Sequence, residues 1–211
     1  MRTSVWVCIG IGLILLCAGS VLAEEEVYPE FIEEPVNDYR SGSIDLVSGW
    51  NFVSVPRRLA DEANKAVIFS GIDSAGHSIW TYNQKEGGWN DLTADDRIQP
   101  LEGYWVYSVS PVTVTLTFSD DPLQVPPVKE MLAGWNMFGF TGTSSASARD
   151  SLLSIRSSWT EVLGWDPAQQ RFETAIINGG SDAHAESRLL QPTRSYWLYV
   201  SETCTLASIG A

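Results

Sequence analysis

One pattern is written twice in this chain. Gly49-Trp50-Asn51 returns as Gly134-Trp135-Asn136. Gln99-Pro100-Leu101-Glu102-Gly103-Tyr104-Trp105-Val106-Tyr107 returns as Gln191-Pro192-Thr193-Arg194-Ser195-Tyr196-Trp197-Leu198-Tyr199. A repeat constrains the architecture before any other reading, because each copy must build the same supersecondary unit. The expected organisation is two tandem homologous modules, over 43–118 and 129–211. A Pro-rich linker over 119–128, carrying Pro122, Pro126 and Pro127, joins them.

Parity within each copy points to strands. Trp50, Phe52 and Ser54 fall on one face of the first, and Asn51, Val53 and Val55 on the other. The second copy sets Trp135, Met137 and Gly139 against Asn136, Phe138 and Phe140. Apolar residues on both faces predict a central strand covered on each side. A helical spacing follows at Leu59, Ala63 and Ala66, and again at Ala148, Leu152 and Ile155, with Ser144 or Ser145 as N-cap. Tyr82 to Trp89 and Trp165 to Phe172 are equally spaced across turn residues, which predicts a β-hairpin in each copy. Val112, Val114, Leu116 and Phe118 alternate with Thr113, Thr115 and Thr117, the mark of a half-buried strand. The expected fold is mainly β, a β-sandwich or barrel-like, with one short helix per module.

The N-terminus carries an address. Arg2 precedes an apolar run from Val5 to Cys17, and Ala18-Gly19-Ser20-Val21-Leu22-Ala23 supplies small residues for cleavage after Ala23. Residues 1–23 read as a secretory signal peptide. The rival reading is an uncleaved anchor, since the uncharged stretch is just long enough to span a bilayer. Residues 24–42 are acidic, hold Pro29 and Pro35, and read as a flexible lead. The chain has 13 basic and 26 acidic residues and a net charge of −13. That balance argues against nucleic acid and anionic membrane surfaces, which recruit clustered Lys and Arg. Two of the three cysteines, Cys8 and Cys17, leave with the signal, so Cys204 has no intramolecular partner. It stands where the first copy has Val114 and is expected to be buried and inert.

Catalytic constellations are poor. His77 and His184 do not occupy matched positions, no G-x-S-x-G occurs, and Asp95-Asp96 and Asp120-Asp121 lie in expected loops without a Ca²⁺ ladder. No catalytic residue, metal ligand or cofactor is assigned. Tryptophan is the tempting residue. The matched pairs Trp50 with Trp135, Trp105 with Trp197, and Tyr82 with Trp165 are expected in the core, since each copy keeps them. Trp80, Trp89 and Trp159 are the candidate ligand-binding residues. Asn51 and Asn136 are expected to bond neighbouring backbone.

The L-x-x-G-W-N start, the aromatic-[ND] hairpin and the [GS]-Y-W-[VL]-Y strand resemble the Gly-Trp-Asn / Gly-Tyr-Trp repeat modules of secreted or S-layer-associated prokaryotic surface proteins, notably of methanogenic archaea. The likeness covers both copies. The second departs from it where Gly103 becomes Ser195 and Pro56 becomes Thr141. The resemblance implies a secreted or cell-surface, non-catalytic structural or adhesion protein. Carbohydrate binding by exposed aromatics is the alternative, and a small extracellular hydrolase the third reading. The expected partners are a cell-surface glycan or another surface protein, and a membrane only if the N-terminal segment stays attached.

Overall fold

The computed structural model describes residues 40–60, 63–121 and 123–209. The expected signal peptide, and the acidic lead as far as residue 39, lie outside the described residues. In the first half the strands are β1 (Ser41–Leu46), β2 (Gly49–Val53), β3 (Trp80–Asn83), β4 (Gly88–Asp91), β5 (Tyr104–Ser108) and β6 (Val112–Thr117), with α1 at Lys65–Ile68. In the second half, β7 (Val128–Met131), β8 (Gly134–Gly139) and β9 (Ala146–Ser147) lead into α2 (Ala148–Ser151). Then come β10 (Trp159–Leu163), β11 (Trp165–Asp166), β12 (Arg171–Phe172), β13 (Ile176–Ile177), β14 (Leu189–Leu190), β15 (Ser195–Val200) and β16 (Cys204–Ala207). Short 3-10 turns sit at Leu153–Ile155 and Asp182–His184.

The structure is mainly β, with several small helices and multiple antiparallel sheets. Its two four-stranded sheets run β2-β5-β3-β4 and β13-β10-β15-β8; β1-β6, β16-β7, β11-β12 and β14-β9 are two-stranded. The two end strands of each four-stranded sheet do not pair with each other, so the barrel-like alternative does not hold among the described residues.

Alternation decides what each sheet buries. In β6, Val114 and Leu116 point inward and the threonines face water. With Ile44 and Leu46 of β1 they pack on Val53, Val55, Tyr104 and Val106. In the second half Met131 and Leu206 join Phe138, Trp159, Tyr196 and Leu198. Burying one such aliphatic side chain stabilises by roughly 1.5–3 kcal/mol. Both expected hairpins form, pairing Tyr82 with Trp89 and Trp165 with Phe172. The first strand of each half, β1 or β7, precedes the Gly-Trp-Asn and lies outside the expected strands. Cys204 pairs with Met131 at the sheet edge and is half-buried, less covered than the expected valine substitute.

The helices are shorter than their spacing implies. Leu59 is buried, but it forms a bridge to Phe118 and stands before α1, which Asn64 caps by accepting from the Val67 amide (3.0 Å). Ser147, not Ser144 or Ser145, caps α2: it accepts from the Asp150 amide (3.1 Å) while its hydroxyl donates to the Asp150 carboxylate (2.6 Å). Ala148, Leu152 and Ile155 are buried as their spacing requires.

The two Gly-Trp-Asn segments do the same local work. Gly49 and Gly134 adopt φ of 100° and 103°, which favours glycine. Asn51 accepts from the Val47 amide (2.9 Å) and donates to the Val47 (2.8 Å) and Gly49 (3.0 Å) carbonyls. Asn136 does the same with Leu132 and Gly134 (3.1, 2.8 and 3.0 Å). Each asparagine therefore staples the bend between two strands, as its expected backbone role requires.

The halves meet through an exchange. The Ser54 amide donates to the Thr193 carbonyl (2.9 Å), and the Gly139 amide donates to the Leu101 carbonyl (3.0 Å). Leu101 and Thr193 are the third residues of the two Gln-Pro segments, and both hold left-handed backbone, φ 64° and 59°. Leu101 is buried in the core of the other half. This contact covers the second face of β2 and β8. Both are edge strands in their sheets, not central ones, yet Phe52 and Met137 on that face are buried.

Candidate functional site

Strand parity turns a row of aromatics away from the first core. Tyr104 and Val106 point into it, so Trp105 and Tyr107 point out. Cross-strand register sets Phe52 and Trp80 on either side of Trp105, Trp50 beside Tyr107, and Trp89 beside Tyr82. Phe52 stacks on Trp105 with centroids 4.5 Å apart and planes 5° apart.

The second half closes over this sheet. Trp165 meets Trp105 edge to face (5.0 Å, 77°), and Trp197 meets Trp89 (5.8 Å, 84°) and Tyr82 (5.3 Å, 63°). Between the halves an open groove of about 680 Å³ remains. Trp50, Trp80, Trp89 and Trp105 line it from the first half; Trp165, Phe172 and Trp197 line it from the second. Trp89 is 49% exposed, and the other tryptophans here are half-buried.

Polar contacts fix the walls. Gln170 clamps the Trp50 backbone, accepting from its amide (2.8 Å) and donating to its carbonyl (2.9 Å). The Trp165 indole N–H donates to the same carbonyl (2.9 Å). Gln84 in the other hairpin donates to the Ala133 carbonyl (2.9 Å), next to the second Gly-Trp-Asn. At the rim Arg194 binds Glu173 (2.7 Å) and the Trp165 carbonyl, and Asp91, opposite Trp80, accepts from Ser78 (2.8 Å) and pairs with Lys65 (3.8 Å).

The expected site residues divide. Trp80 and Trp89 line the groove. Trp159 does not reach the surface: it is 1% exposed in the second core, and its indole N–H has no hydrogen-bond partner among the described residues. Position 159 starts β10 on the inward face, which the lack of a matched residue could not show. The matched aromatics are corrected in the opposite direction. None of Trp50, Trp105, Trp135, Trp165, Trp197 or Tyr82 belongs to either core. Four of these six line the groove, while Trp135 and Tyr199 form a separate exposed pair (5.4 Å, 81°). The signal was present in parity, since Trp50 alternates with Asn51 and Val53.

Titratable groups serve local structure. His184 contacts the Ala175 carbonyl (2.9 Å), and His77 packs on Trp50 and Tyr107. Asp96 accepts from the Thr93 amide (2.6 Å), Asp121 from that of Leu123 (2.9 Å), and Asp120 faces Arg40 (3.7 Å). Among the described residues no three His, Cys, Asp or Glu side chains converge to hold a metal ion. Burial pushes the Cys204 thiol up, against a Ser158 hydrogen bond that lowers it.

Comparison with protein-family models, curated proteins and solved structures found no match in any of the three.

Proposed function

We propose that the chain is an exported, non-catalytic binding protein of the cell exterior, built from two copies of one small β-module, with the aromatic groove as its ligand site. One observation carries this reading. Six tryptophans and Phe172, from both halves, line a single open groove instead of filling the cores. Aromatic surface left open to water at this scale is a feature of ligand sites. The apolar leader and its small-residue end support secretion or display at the surface. The resemblance to Gly-Trp-Asn / Gly-Tyr-Trp surface modules agrees with an adhesive role.

A purely structural reading has its own support, since the same rings contact one another edge to face and join the halves. Trp89 separates the two, because it is the most exposed of the groove tryptophans. The test is a titration of the full chain, followed by tryptophan fluorescence, against a glycan panel and a panel of small organic cations. The expected result is a saturable change for at least one compound, weakened at least about tenfold in Trp89→Ala and kept in Trp159→Phe. No response to any compound would leave the structural reading in place.

A further inference from the structure

Resting on that reading of the groove, we propose that its ligand is a compact organic cation, a trimethylammonium group, and not a sugar ring. The chemistry of the lining is the first reason. Six indoles and a phenyl ring supply N–H donors and no side-chain acceptor. The Trp165 N–H is already spent on the Trp50 carbonyl, and the Trp105 N–H is buried. A sugar ring presents hydroxyls that each donate as well as accept, and the rings of the lining offer those donors no acceptor. A trimethylammonium group has no hydroxyl to satisfy.

Ring orientation is the second reason. Trp50 meets Trp105 at 79°, Trp105 meets Trp165 at 77°, and Trp89 meets Trp197 at 84°. Rings set this way form corners. A flat sugar face wants one broad platform, whereas a round cation rests in a corner against more than one ring. The ring faces carry the negative end of the aromatic quadrupole, which is the basis of quaternary ammonium recognition.

Charge is the third reason. The chain carries −13, so its field draws cations in and holds off anions. Two nearby cations are matched: Arg194 is bound to Glu173 and Lys65 pairs with Asp91. The groove is also open to solvent, so the group can arrive free or carried on a larger surface molecule.

The test uses the full chain and three probes: choline, its uncharged carbon isostere 3,3-dimethylbutan-1-ol, and phosphatidylcholine vesicles. Calorimetry and tryptophan fluorescence read binding. Choline or the vesicles are expected to bind, with choline at least about tenfold tighter than the isostere, a difference in keeping with the strength of cation–π contacts. Which of the two binds identifies the source of the group. Trp89→Ala should weaken binding at least about tenfold with an unchanged circular dichroism spectrum. Trp89→Phe, which keeps a ring, should restore part of it and serves where the alanine variant fails to fold. Measurable and equal affinity for choline and its isostere would overturn the cation proposal, as would binding of glycans alone; the latter leaves the groove as the ligand site. Silence toward every cation and every glycan would overturn both.

Discussion

Ser54 packs directly on Gly139, and each is the fourth residue after the Trp of its Gly-Trp-Asn. A Cβ on Gly139 would stand 2.5 Å from the Ser54 Cβ and closer still to the Glu102 carbonyl oxygen. The same complementarity recurs at Gly103 and Ser195, the residues before the two Tyr-Trp pairs. A Cβ on Gly103 would meet the Met137 Cγ at 2.5 Å and the Ser195 hydroxyl at 3.0 Å. Where one half carries serine, the other carries glycine, and this lets corresponding strands touch.

Gly139→Ala should therefore force the halves apart. The expected loss is about 1–3 kcal/mol, the usual cost of overpacking. Urea unfolding monitored by tryptophan emission measures it, and the emission maximum should shift as the groove rings separate. Adding Ser54→Gly should recover only part of the loss, because the Glu102 carbonyl remains in the way.

Asn51 is 2% exposed and holds three backbone groups of one bend. Asn51→Ala leaves the Val47 amide without its acceptor and should cost about 2–3 kcal/mol, on the scale of leaving buried polar groups unpaired. Asn136→Ala should behave alike, with its effect in the second half. Chemical denaturation checks both, and a loss below about 0.5 kcal/mol, the low end for a single hydrogen bond, would show that the bends close without the staple.

Tyr104 and Tyr196 are matched buried phenols whose hydroxyls accept from the Gln99 and Gln191 amides, each at 2.8 Å. Burial pushes both upward, against the lowering effect of those amides and, at Tyr196, of the larger pull of Arg194. Tyr196 rises from the ordinary 10.0 to about 12. The folded state disfavours the phenolate, so this contribution to stability is whole below pH 10.0 and is lost as pH rises through about 12. A spectrophotometric alkaline titration should show two late-ionising tyrosines, together with unfolding. Tyr196→Phe should remove one of them.

Thr193 is β-branched yet holds φ 59°, backbone that costs an ordinary residue about 1–2 kcal/mol. Asn tolerates that region, so Thr193→Asn should stabilise by up to about 1 kcal/mol while leaving its carbonyl to accept from Ser54. A rise in melting temperature checks it. A fall would show that the Thr side chain contributes more than its backbone strain costs.

Much of the strand layout was legible. Alternation of Val and Leu with Thr marked β6, and equal spacing of aromatics marked both hairpins, because each signal is local. β1 and β7 were not legible: β7 buries only Met131 of its four residues, too little to set a period. The helical spacing at Leu59 and Ala63 misleads because both stand before α1: Leu59 bridges Phe118 and the Ala63 carbonyl accepts from the Ile98 amide (2.9 Å), so long-range contacts and not a helix face hold them. For the site, Trp80 and Trp89 were legible as candidates, while Trp159 was hidden by its burial in the second core.

The sequence by itself determined the twofold recurrence, the parity of each strand and the local role of each Gly-Trp-Asn, since these follow from backbone period and short-range hydrogen bonds. Only the tertiary structure decided where the matched tryptophans go. Each is kept in both copies, which reads as core within one copy. The structure instead turns them to the opposite face, where the two halves, meeting across Ser54 and Gly139, bring Trp50, Trp105, Trp165 and Trp197 together and leave Trp135 paired with Tyr199 outside. A contact between segments more than eighty residues apart leaves no trace in local period, and it is that contact which makes a groove of residues that repetition had assigned to the core.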